Sequence, residues 1–103
     1  MHEIEPYFSE SEIVGLANKF KILSEPSRLK ILRLLFGGEK CVTDIIEATG
    51  LMQANVSKQL KVLQMNNILG CRPQGLKRYY RVTDATVKQI CNLLCNTSKT
   101  YPC

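Results

Sequence analysis

Two sets of side chains in this sequence offer chemistry. The first is positive charge kept apart from negative charge. Between Ala48 and Thr83 there is no Asp or Glu, while Lys58, Lys61, Arg72, Lys77, Arg78 and Arg81 all fall there. The N-terminal end is the reverse, with Glu3, Glu5, Glu10 and Glu12 ahead of any Lys or Arg. The net charge is only +5, yet cations concentrated in one segment make a field that attracts a polyanion. A merely solvated basic face would intersperse acids, so nucleic acid is the favoured partner.

The second set is sulfur: Cys41, Cys71, Cys91, Cys95 and Cys103. An odd number of cysteines in an apparently reducing compartment argues against a disulfide framework and leaves metal capture, redox sensing or plain packing. Cys91 and Cys95 stand four apart, on one face if the segment is helical. At about 3.3 Å per residue, a tail ending in Cys103 can fold back onto that pair, in its own subunit or a partner. Three thiolates without a histidine suit a thiophilic centre such as As(III) or antimony, and less specifically cadmium or lead. Cys91 and Cys95 also fall within an apolar stripe, where cysteine serves as a small hydrophobe. Cys71 reads as structural, and Cys41 is a secondary candidate. With no CxxC, no histidine beside a cysteine and no framed carboxylate pair, an enzyme is not expected.

The elements that must position these groups follow from periodicity. Apolar residues at Ile13, Leu16, Ala17, Phe20 and Leu23 predict a helix from Ser9 to Leu23, capped by Ser9 or Ser11. Pro26 opens a second helix to about Phe36, ended by Gly37 and Gly38. A short helix over Val42 to Thr49, with Thr43 as a plausible cap, is followed by Gly50 and a fourth helix from Gln53 to Met65. The period then switches. Two β-rich runs, Ile68 to Arg72 and Lys77 to Val82, flank Pro73-Gln74-Gly75-Leu76 and predict a hairpin. Asp84 caps a last helix to about Asn96. The expected fold class is mainly α with a small β-hairpin, in the order α1-α2-α3-α4-β1-β2-α5: a winged helix-turn-helix. The length suits a single domain over residues 1–103, with 1–8 and 97–103 as flexible or weakly ordered ends. No apolar run reaches the roughly 18 residues of a membrane span, and the acidic N-terminus does not read as a signal peptide. A cytoplasmic protein with no membrane contact is expected.

Three segments carry a family resemblance. Ile22-Leu23-Ser24-Glu25-Pro26-Ser27-Arg28-Leu29-Lys30-Ile31-Leu32 resembles the opening of the ArsR/SmtB family of metalloregulators. Gly50 to Leu60 resembles that family's turn and recognition helix, and Arg72 to Val82 its wing. The resemblance implies a homodimer, joined through first and last helices, that represses its operon and releases DNA when an inducer binds. Base edges would be read from the first turns of the fourth helix by Gln53, Asn55, Ser57, Lys58 and Gln59. Lys61, Lys77, Arg78 and Arg72 would hold phosphates. Two copies about a two-fold axis should read double-stranded operator DNA with an inverted repeat.

The family's inducer sites fit less well. Its sensor box reads Glu-Leu-Cys-Val-Cys-Asp-Leu, against Glu39-Lys40-Cys41-Val42-Thr43-Asp44-Ile45 here, so Thr43 replaces the second thiolate. Its other site pairs Asp and His with His and Glu from the partner. Asp84 matches the first of these, but His2 is the chain's sole histidine. Cys91, Cys95 and Cys103 therefore become the inducer candidates, ahead of Cys41. The alternative is a redox or reactive-sulfur repressor of the same fold, using a bridge from Cys103 to Cys91, Cys95 or Cys41. Arg33 stands where such relatives carry a second-helix cysteine.

Overall fold

A reciprocal capping box starts the first helix in the computed structural model, which describes residues 8–99. The Ser9 hydroxyl accepts from the Glu12 N–H at 3.1 Å, and the Glu12 carboxylate accepts from the Ser9 N–H at 2.8 Å. Helix α1 (Glu10–Leu23) follows, then α2 (Pro26–Leu35), with Pro26 in its first turn and Glu25 capping the Arg28 N–H. A two-residue strand β1 (Lys40–Cys41) leads directly into α3 (Val42–Thr49). Helix α4 (Gln53–Met65), the hairpin β2 (Leu69–Gln74) and β3 (Lys77–Val82), and α5 (Ala85–Lys99) complete the order.

This is the winged helix-turn-helix the sequence predicts, with one strand more. The sheet is antiparallel in the order β1-β3-β2, and β1 pairs Lys40 with Tyr80 and Cys41 with Tyr79. The wing is thus fastened to the start of α3. Pro73 is accommodated because β2 is an edge strand, where a missing N–H breaks no inner ladder. Helix α5 runs through Lys99, past the predicted end near Asn96. The Thr43 cap is also corrected. Cys41 occupies the N-cap of α3, and its N–H donates to Asp44 Oδ2 at 3.4 Å.

The core gathers Ile31 and Leu32 of α2, Ile45 of α3, Val56, Leu60 and Leu63 of α4, Ile68, and Val87 of α5. Helix α1 joins it through Ile22 and Leu23 alone among its buried residues. The rest of its apolar stripe is uncovered: Ile13, Leu16 and Phe20 are exposed, as is Leu94 on α5. The described residues leave these side chains 41–59% exposed.

Candidate nucleic-acid interface and thiol site

The turn into the reading helix is set by Gly50, which caps α3 at φ +73°, a conformation costly for residues with a Cβ. Helix α4 then starts at Gln53 with no side-chain cap and no acid in its first turn, unlike α1 with its Ser9 cap and its first-turn Glu10 and Glu12. Its opening N–H groups and the positive end of its dipole remain available to an anion.

Gln53, Ser57, Lys58 and Lys61 are exposed on α4. Gln53, Ser57 and Lys61 lie four apart, so they form one ridge along the helix. Two other predicted readers behave differently. Gln59 is only 4% exposed, and its assignment to base reading is corrected. Its Oε1 accepts from Arg28 Nε at 2.8 Å, and its Nε2 donates to Asn55 Oδ1 at 2.9 Å. Asn55, half-buried, passes the chain on by donating to Ser27 Oγ at 3.2 Å. Arg28 also donates to the Ile22 carbonyl at 3.1 Å. This run of bonds ties the reading helix to the start of α2, and each polar group in it has a partner, as burial demands. The signal was present in the spacing. Gln59 lies three residues after Val56 and four before Leu63, both buried, so it shares their face.

The wing carries the remaining cations. Lys77 and Arg78 are exposed, and Arg78 Nη1 donates to Cys71 Sγ at 3.6 Å. Arg72 is already engaged. Its Nε and Nη2 donate to the Glu39 carboxylate, with Nε to Oε1 at 3.0 Å, and Nη1 donates to Gln74 Oε1 at 2.6 Å. Its guanidinium also lies 5.2 Å from the Tyr79 ring centre. That partnership holds the Glu39 carboxyl below the usual carboxylate range. Arg72 therefore brings a neutralised charge to the surface, whereas Arg78 is bonded only to a thiol and Lys77 feels Asp44 at longer range, helping to hold that carboxyl down.

The sulfur groups lie elsewhere. Cys91 and Cys95 line a cavity of about 440 Å³ between α1, α2 and α5, walled by Phe20, Leu29, Phe36 and Leu94 with Lys30 and Arg33 at its edge. Burial, and then the neighbouring Cys95 sulfur, push the Cys91 thiol up. Cys95 is exposed, Cys71 half-buried and Cys41 buried in the core beneath the wing; all four are free thiols. Cys103 lies outside the described residues. Among the described residues no three metal-ligating side chains come together. Asp84 is taken up in the structure: it pairs with Lys19 Nζ at 2.6 Å and accepts from the Thr86 N–H at 3.0 Å. Among the described residues no helix is long and apolar enough to cross a membrane.

Comparison with known proteins agrees with this anatomy. The family described as "Bacterial regulatory protein, arsR family" matches residues 25–69, which run from the cap of α2 to the first wing strand. The arsenical resistance operon repressor of Staphylococcus aureus is 38% identical over 75 residues, 73% of this chain and 72% of that protein. Among solved structures, the AntR antimony-specific transcriptional repressor superposes with a TM-score of 0.82 at 30% identity, covering 95% of this chain and 90% of that one. The homodimeric winged helix-turn-helix DNA-binding domain of Mb0332 from Mycobacterium bovis gives 0.78 at 28% identity, covering 92% and 91%. An uncapped reading helix, a basic wing and these likenesses lead to one conclusion: the chain belongs to the ArsR/SmtB family of DNA-binding transcriptional repressors, and is a regulator rather than an enzyme.

Proposed function

We propose that the protein is a homodimeric repressor that releases its operator when thiolates capture a thiophilic inducer, such as As(III). The observation that carries the inducer half is the Cys91–Cys95 pair, set into a cavity between the helices left uncovered in a single chain. The exposed Ile13, Leu16 and Phe20 of α1 and Leu94 of α5 support pairing through these helices, as burying them removes apolar surface from water. The M. bovis domain, described as homodimeric, supports dimerisation as such. Pairing would set two reading heads about a two-fold axis and so select an inverted repeat.

On DNA, Gln53, Ser57 and Lys58 present donors and acceptors to base edges, and Lys61, Lys77 and Arg78 meet phosphates. Asn55 reaches a base only by giving up its bond to Ser27, and Arg72 a phosphate only by leaving Glu39. The inducer condenses with Cys91, Cys95 and Cys103: three S–H groups and As(OH)₃ give three As–S bonds and three waters. The arsenical and antimony repressors among the relatives support a metalloid of this kind. An ion bound where α5 meets its partner changes the spacing of the reading heads.

The test is titration of reduced protein with arsenite while following thiolate-to-arsenic absorption and release of an operator duplex. Absorption growing to one arsenic per site, together with release, is expected, and Cys95→Ser should abolish both. Release by peroxide or polysulfide with no response to arsenite would replace this reading with the redox one.

A further inference from the structure

Leu76 is an anomaly on the surface. Its exposure is 106%, the highest among the large apolar side chains of the described residues. It sits second in the two-residue turn between Gln74 and Lys77, the last cross-strand pair of the hairpin. Gly75, the first turn residue, has φ +62°, which answers the need of a tight hairpin turn for glycine in that place. The second place demands nothing apolar, and a polar residue would serve it as well. Nor does the core use this side chain. The six cross-strand pairs from Leu69–Val82 to Gln74–Lys77 set the tip about 17 Å along the hairpin from its base at ~3.3 Å per step. A small cleft that Leu76 shares with Val42 and Thr43 leaves it fully open.

Its immediate neighbours give it a use. Lys77 and Arg78 follow it in sequence, both exposed, and the tip carries no acid. Cations flanking one projecting apolar side chain suit the DNA minor groove. The groove's negative potential attracts the cations, while apolar side chains wedge between base steps. We infer that Leu76 is a DNA-contacting residue that enters the minor groove beside the segment read by α4. Through it, the protein senses how easily the base step beneath the wing opens. Pyrimidine–purine steps unstack most readily, so the wing adds a preference for them at a fixed distance from each half-site. This inference rests on the DNA-binding reading above.

The test is selection of duplexes from a random 40-base-pair pool by the full-length wild type, Leu76→Ser and Leu76→Met. Position 76 is fully exposed, so all three should give the same circular dichroism and the same melting temperature. The wild type is expected to enrich an inverted repeat with pyrimidine–purine steps at fixed flanking positions. Leu76→Ser should keep the repeat, lose the flanking preference and bind the wild-type site on the order of tenfold more weakly. Its salt dependence should be unchanged, because no charge is removed. Leu76→Met should restore the preference. A Leu76→Ser protein that selects the same flanks with the same affinity would overturn the inference while leaving DNA binding intact. A wild type that enriches no duplex would overturn both.

Discussion

The DNA-facing half of the molecule and its thiol half are built on opposite terms. In the first, each reading element is held by a bond made within the chain: α4 through Arg28 and Gln59, the wing through β1 and the Arg72–Glu39 pair. In the second, α1 and α5 keep much of their apolar surface exposed and enclose a half-open cavity. The difference teaches where each half gets its order. The reading head makes its ties within one chain, while α1 and α5 keep an apolar face that the dimer proposed above would cover.

The sharpest way to break this contrast is Phe20→Glu. Phe20 is 48% exposed, so a charge there should spare the folded monomer and abolish pairing. Losing one of two linked half-site contacts should weaken operator binding on the order of 100-fold or more; sedimentation and gel shift would measure both. An undiminished dimer would place the interface elsewhere.

The reading half is tested by Arg28→Ala, which leaves Gln59 Oε1 buried without its donor. A loss of about 1–3 kcal/mol in unfolding free energy is expected from such an orphaned group, read by urea denaturation. Replacing Arg28 and Gln59 together with apolar residues should recover part of it, since no polar group is then stranded.

A smaller effect is expected at the wing. Lys77→Ala should weaken binding to all sequences alike and lower the slope of log K against log salt by about 1. Arg72→Ala should change that slope much less, because Glu39 already neutralises the guanidinium. Equal slopes for the two variants would show that Arg72 leaves Glu39 on DNA.

The smallest effects are titrations. The raised Cys91 thiol implies that capture of Cd(II), which needs thiolates, strengthens as pH rises through the alkaline range, and isothermal titration at two pH values would report it. Burial works to raise the Asp84 pKa, but bonds from Lys19 and Thr86 outweigh it and hold the carboxyl below its ordinary range. A depressed carboxylate contributes stability above its unfolded pKa and loses it as pH falls through the folded one. Asp84→Asn should therefore cost stability at neutral pH, and its difference from wild type should vanish in strong acid.

Much of the reading half was legible in the sequence. Helices α3 and α4 begin and end where periodicity and Gly50 predict, because those signals are local. The hairpin follows from Gly75 for the same reason. Strand β1 was not legible, since two residues show no alternation and its partner lies nearly forty positions away. Gln59 was misread because its polarity outweighed its position on a buried face. Arg72 looked like any other wing cation until Glu39, remote in sequence, was found beside it. The openness of α1 could not be foreseen either: an apolar stripe signals burial without saying in which chain the covering surface lies.

The two-residue pairing of β1 with β3 has a mechanical meaning. Because Cys41 is bonded to the wing and is also the N-cap of α3, a shift of α3 is passed directly to the wing. On the dimeric reading proposed above, release then falls to the angle between the two chains rather than to a wing folding away on its own.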